Sequence, residues 1–166
     1  DDTIRMSNDS VVVDSDFTKV TSVKTLTAAG TSNLTATLGA AAAAAGIDTV
    51  TLVDTAAADT ITVGSGFSSA LAINLADDGA GDTITATNYT GALTVNADSS
   101  ELDSNALTLT GGTGSDTLAI TVSDDDTILT SGITLVETIS LTGDNAAADT
   151  ATITTADGLV AEGASL

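Results

Sequence analysis

Asp59-Thr60-Ile61-Thr62-Val63-Gly64-Ser65-Gly66 is the stretch that decides the fold, and Asp82-Thr83-Ile84-Thr85-Ala86 repeats its first half. Apolar and hydroxyl side chains alternate along both, the period of a strand with one buried and one solvated face. Val, Ile and Thr are β-branched and suit a pleated surface, and Gly64-Ser65-Gly66 supplies a turn. Outward from here the Asp-Thr-aliphatic phrase recurs at Asp2-Thr3-Ile4, Asp48-Thr49-Val50, Asp116-Thr117-Leu118 and Asp126-Thr127-Ile128, with a weakened copy at Asp149-Thr150-Ala151. Successive copies start about 46, 11, 23, 34, 10 and 23 residues apart, all near multiples of about 11.4, as in a repeat array. Looser copies fill the gaps at Lys24-Thr25-Leu26, Ala36-Thr37-Leu38, Ala70-Leu71, Ala92-Leu93, Ala106-Leu107 and Glu137-Thr138-Ile139. Only the slot near Val12 and Val13 is ambiguous.

A strand of about five residues plus a turn fills one such unit, and two units make a coil of about 22 to 23 residues. Turn chemistry falls between the strands at Asp77-Asp78-Gly79-Ala80-Gly81, Gly111-Gly112-Thr113-Gly114, Ser123-Asp124-Asp125-Asp126 and Gly143-Asp144-Asn145. The expected fold is all-β, a parallel β-solenoid of the β-helix or β-roll kind, forming one module over residues 1–166. Its aliphatics should stack inside and its threonines outside. A tandem of Ig-like β-sandwiches is the alternative, since short strands at regular spacing suit it as well. The absence of Pro and Trp, the single Tyr and the constant unit length weigh against it. Six alanines between Gly39 and Gly46 form either a helical turn or a tight corner. Asn96 to Asn105 reads as a longer acidic loop. The chain opens on Asp1 without a Met, which suggests a fragment or repeat unit of a larger protein.

Composition agrees with a narrow core. Apolar residues make up 42% of the chain, yet the aromatics are only Phe17, Phe67 and Tyr89 and the only Met is Met6. Wide globular cores are normally filled with bulky aromatics. Charge is equally one-sided, with 23 acids against three bases and a formal net charge of −20. The bases, Arg5, Lys19 and Lys24, all lie near the N-terminus. Nucleic acid needs cations to neutralise phosphates, and anionic lipid repels such a chain, so neither is expected as a partner; nor is membrane insertion. Of the acids only Glu101, Glu137 and Glu162 are Glu; the rest are Asp, which favours turns and caps. Disulfides are excluded by the lack of Cys. With no His, no Cys, no base beyond Lys24 and no aromatics to line a cleft, catalysis is not expected.

Gly111-Gly112-Thr113-Gly114-Ser115-Asp116-Thr117-Leu118-Ala119 matches the nonapeptide of RTX repeats at every specified position. Asp78-Gly79-Ala80-Gly81-Asp82-Thr83-Ile84 is a degraded relative. The phrase from Gly132 to Thr142 resembles the Gly-Val-Glu-Thr-aliphatic phrases of RTX-type S-layer proteins, and Phe17 to Leu26 is a looser version. The chain thus resembles the β-strand-repeat regions of type I-secreted bacterial surface proteins, the S-layer and large adhesin family. That resemblance implies an extracellular, cell-surface location, calcium-dependent folding and self-assembly into a lattice or filament, with cell-surface polysaccharide as a further candidate partner. It implies structural Ca²⁺ bound by oxygens of Gly112, Gly114 and Asp116, completed by Asp124, Asp125 and Asp126 toward the six to eight ligands calcium takes. Asp78 with Asp82, and Asp144 with Asp149, form weaker candidate pairs. The rival function is an adhesin segment or ice-binding module, because Thr-x-Thr occurs at Thr25/Thr27, Thr35/Thr37, Thr49/Thr51, Thr60/Thr62, Thr83/Thr85, Thr108/Thr110 and Thr152/Thr154.

Overall fold

A computed structural model describes residues 2–30, 33–54, 58–75, 81–103, 107–123, 126–143 and 150–154. Two parallel sheets face each other across a thin aliphatic core. The first sheet stacks β1 (Asp2–Met6), β3 (Val23–Gly30), β5 (Thr49–Asp54), β7 (Leu71–Asn74), β9 (Leu93–Asp98), β11 (Thr117–Val122) and β14 (Thr138–Gly143) in that order. The second stacks β2 (Ser10–Val12), β4 (Leu34–Leu38), β6 (Thr60–Val63), β8 (Thr83–Thr85), β10 (Thr108–Thr110) and β13 (Ile133–Thr134). The chain alternates between them and so winds a parallel β-solenoid with about 23 residues per turn. Near its C-terminal end a third face opens, where β12 (Asp126–Leu129) pairs in parallel with β15 (Ala151–Thr154).

Alternation builds the core directly, since every second side chain of a strand points to the same face. On the first sheet Ile4, Leu26, Val50, Ile73, Val95, Leu118 and Ile139 stand in one register column. All but the two end members are fully buried. The second sheet answers with Val12, Ala36, Ile61, Ile84, Leu109 and Ile133. Each buried Val, Leu or Ile contributes about 1.5–3 kcal/mol relative to exposure, so the stack is held by repetition rather than by a wide centre.

The corners absorb what strands cannot. A 3-10 turn, Asp14–Phe17, leads from β2 to β3, and the helical turn α1 (Ala40–Ala45) leads from β4 to β5. The six alanines therefore make a helical turn, closed by Gly46 in the left-handed region at φ 104. Phe67 and Tyr89 occupy the same corner in the next two coils, their rings meeting edge to face at 5.9 Å. All three aromatics of the chain lie buried in this one corner. On the other side, the described part of the expected acidic loop from Asn96 to Asn105 is regular structure. Asn96 to Asp98 complete β9, and α2 (Ser100–Asp103) follows, placing Leu102 in the core.

Register corrects the phase of four loose repeats. Thr35, not Thr37, stands opposite Thr60; Ala72 and Thr94 share the column of Thr49; and Thr108 stands opposite Thr83. The inward aliphatics of these units are therefore Ala36, Ile73, Val95 and Leu109, each two residues from the expected Leu38, Leu71, Leu93 and Leu107. A two-residue slip keeps every side chain on its face, whereas a slip of one would have turned the core outward. The ambiguous slot near Val12 is filled by β2.

Candidate functional site

The Asp of the repeated phrase works inside the wall of the solenoid. Asp59, Asp82 and Asp116 are buried. Asp59 Oδ1 accepts the Leu34 N–H at 2.5 Å, Asp82 Oδ1 accepts the Asp59 N–H at 2.8 Å and Asp116 Oδ1 accepts the Leu93 N–H at 3.0 Å. Each donor holds the same phase as the acceptor, one coil earlier. These amides lie at the entry of their strands, Leu34 and Leu93 as first residues and Asp59 one residue before β6, and a carboxylate makes a strong, charge-assisted acceptor for them. Asp14 does related work from the preceding coil, accepting the N–H groups of Gly39, Ala41 and Ala42 at the start of α1. Burial acts to raise the Asp14 carboxyl, but the three amides together hold it below its usual value.

At the RTX-like turn, Asp116 Oδ2 also accepts the Gly112 N–H at 2.5 Å, so amides approach both of its oxygens. Glu137 Oε2 accepts the Asp116 N–H at 2.8 Å. Burial raises the Asp116 carboxyl above its ordinary value, opposed by its two amide donors and reinforced by the nearby Glu137. Glycine is required here by close packing of the chain. A Cβ on Gly112 would collide with the Tyr89 carbonyl oxygen, and one on Gly114 with that of Gly91. In the described half of this turn both Asp116 oxygens are engaged by backbone amides, those of Leu93 and Gly112. Among the described residues no group of three or more acidic side chains is placed to hold a metal. Asp126 opens β12, and Asp82 immediately precedes β8, its Oδ1 holding the Asp59 amide. Asp78, Asp124, Asp125, Asp144 and Asp149 lie outside the described residues.

The two phrases that resemble S-layer sequences share a backbone device. Among the described residues, Ser22 and Leu135 are the non-glycine residues with positive φ, at 61 and 56. Each immediately precedes Val-x-Thr-aliphatic: Val23-Lys24-Thr25-Leu26 and Val136-Glu137-Thr138-Ile139. Such a conformation costs about 1–2 kcal/mol in an L-residue. Here it redirects the chain into β3 and β14.

The outer faces are hydroxyl arrays. On the second sheet Thr35, Thr60, Thr83 and Thr108 form one column and Thr37, Thr62, Thr85, Thr110 and Thr134 a second. The first sheet starts the same pattern with Thr3, Thr25 and Thr49 but interrupts it at Ala72, and its neighbouring column runs Arg5, Thr27, Thr51, Asn74, Asn96, Ala119 and Ser140. There Asn96 Nδ2 donates to Asn74 Oδ1 at 2.7 Å and Asn74 Nδ2 to Thr51 Oγ1 at 3.3 Å.

Both ends of the stack show apolar surface. Beside β1 and β2 lies a cavity of about 250 Å³ lined by Ile4, Met6, Val12, Phe17, Val20 and Leu26, among others. It is smaller than the roughly 300–1,000 Å³ of usual small-molecule pockets, and it lies against Ile4 and Val12, the first described members of the inner ladders. Val11 is 75% exposed there, while Leu141 on β14 and Ile153 on β15 are 40% and 38% exposed at the far end. No family model, curated protein or solved structure matches the chain.

Proposed function

We propose that this solenoid is a non-catalytic structural module of an extracellular bacterial surface assembly, an S-layer, surface filament or long adhesin of the RTX-like, type I-secreted kind. One observation carries the reading. Among the described residues, β1 and β14 end the first sheet and β2 and β13 end the second, each with one hydrogen-bonding edge unpaired, beside exposed Val11 and Leu141. Parallel ladders with open, apolar edges are templates for a further strand. A second copy of the chain continues the ladders, and the result is a stiff lattice or filament. Calcium enters as a counter-ion that relieves the self-repulsion of a net charge of −20, with cell-surface polysaccharide as the anchoring partner.

Light scattering and electron microscopy with calcium and with chelator test this. The expected result is growth of large assemblies that calcium accelerates, and their loss in Leu141→Lys, which places a charge on the outermost strand. A chain that stays monomeric at high protein and calcium concentration overturns the reading.

A further inference from the structure

We infer that the outer face of the second sheet is an ice-binding surface. The register separates threonines that look equivalent in the sequence. Thr35/Thr37, Thr60/Thr62, Thr83/Thr85 and Thr108/Thr110 share one face across four successive coils, extended by Thr134, whereas Thr25/Thr27 and Thr49/Thr51 belong to the opposite sheet. Neighbouring members of a column are fixed about 4.8 Å apart by strand pairing, and the two columns about 6.6 Å apart by the strand repeat. Thr is stiff at χ1, so methyls and hydroxyls hold a regular grid. At its end the Thr134 hydroxyl donates to Thr110 Oγ1 at 3.3 Å.

Charge selects the occupant. From Thr35 to Thr134 no outward position of this grid carries a charged side chain, in a chain of net charge −20. The acids stand at the corners. Ions order water radially and are badly hydrated by a frozen lattice, while hydroxyls both donate and accept and so can join one. A neutral, rigid, two-dimensional grid is complementary to a neutral crystalline solid made of hydrogen-bonded water. The first sheet is a built-in contrast: Ala72 and Ala119 interrupt its columns, Arg5 adds a charge and the Asn74–Asn96 pair turns its amides on each other. The grid lies on a sheet face and not on a strand edge, so edge-to-edge assembly leaves it open.

The experiment measures thermal hysteresis and partition of the chain into slowly growing ice, with circular dichroism confirming the fold. The wild-type chain is expected to show hysteresis and to enter the ice. Thr85→Lys, mid-grid, abolishes both; Thr51→Lys, on β5 of the first sheet, changes neither. If Thr85→Lys fails to fold, Thr35→Lys at the exposed margin of the grid is expected to reduce partition. Absence of hysteresis in the wild type, equal loss in variants of both sheets, or sedimentation with crystalline polysaccharide but exclusion from ice overturns the inference.

Discussion

Replacing Asp116 by Ala removes the acceptor for two backbone amides at once, those of Leu93 and Gly112. Hydrogen bonds to a charged group contribute about 1.5–3 kcal/mol each, so the gross loss is about 3–6 kcal/mol. Part is returned, because the carboxylate is buried beside Glu137 and both circumstances disfavour its charge. A net loss of about 2–4 kcal/mol at neutral pH remains. In a domain of this length each kcal/mol moves Tm by about 2–4 °C, which gives a drop of roughly 4–16 °C. The assay is thermal unfolding of wild type and Asp116→Ala, each in calcium and in chelator. A carboxylate that ties one coil to the next should show the same drop in both. A drop confined to calcium would assign the side chain to a metal, and a drop below about 2 °C would refute the amide account altogether.

Core position should set the cost of truncation: Leu118→Ala, fully buried between two neighbours of its column, is expected to lose about 2–5 kcal/mol by denaturant titration, and Ile139→Ala, partly buried on the last strand of that column, clearly less. Gly112→Ala should destabilise by at least about 1–3 kcal/mol through collision with the Tyr89 backbone. Gly64→Ala, whose new Cβ meets only ordinary contact at 3.5 Å, should be neutral or stabilising by up to about 1 kcal/mol; equal effects in the two variants would defeat the packing argument. The acid limb offers a sign test. Asp14 is held below its ordinary value of 3.8, so its contribution is present above that pH and lost as pH falls through the lower, folded value. Tm of the wild type should therefore fall more steeply below about pH 4 than that of Asp14→Asn. Asp116, raised from the same value, acts with opposite sign: ionising its carboxyl costs the fold free energy as pH rises through the folded value, while the two amide bonds to its oxygens persist.

The strand period was readable because two residues is a short, strict repeat. Thr60-Ile61-Thr62-Val63 and Thr83-Ile84-Thr85 became β6 and β8 with Ile61 and Ile84 facing the core. Register was harder to read. Where a coil lacks its Asp, as at Leu34-Thr35-Ala36, the Thr-x-Thr pairs can be slid by two residues at no cost in face polarity, and nothing local forbids it. The role of the phrase-leading Asp was hidden for another reason. Composition places Asp at solvated corners, yet the acceptors needed by the amides of Leu34, Asp59 and Leu93 come from a coil 23 to 25 residues later. Only the stacked geometry shows that need. The RTX-like nonapeptide carries a second, packing demand that is hidden in a related way. Its glycines answer to the neighbouring backbone at Tyr89 and Gly91, a demand that leaves the same letters in the sequence as an ion cage would. The aromatic corner carried a fainter signal: Phe67 and Tyr89 lie about one coil apart, and Phe17 two coils before Phe67.

With no Trp and a single Tyr, the protein carries one natural optical reporter, and its position makes that reporter informative. The Tyr89 hydroxyl donates to the Ser69 carbonyl of the preceding turn, its ring packs on Phe67, and burial together with Asp116 pushes its ionisation up to about 12. Phenolate absorbance and tyrosine emission therefore sense the middle of the stack and neither end. A solenoid that frays from its tips would lose circular dichroism while this signal held steady. One that opens as a single unit would lose both together, so an unlabelled sample suffices to tell zipper from all-or-none unfolding.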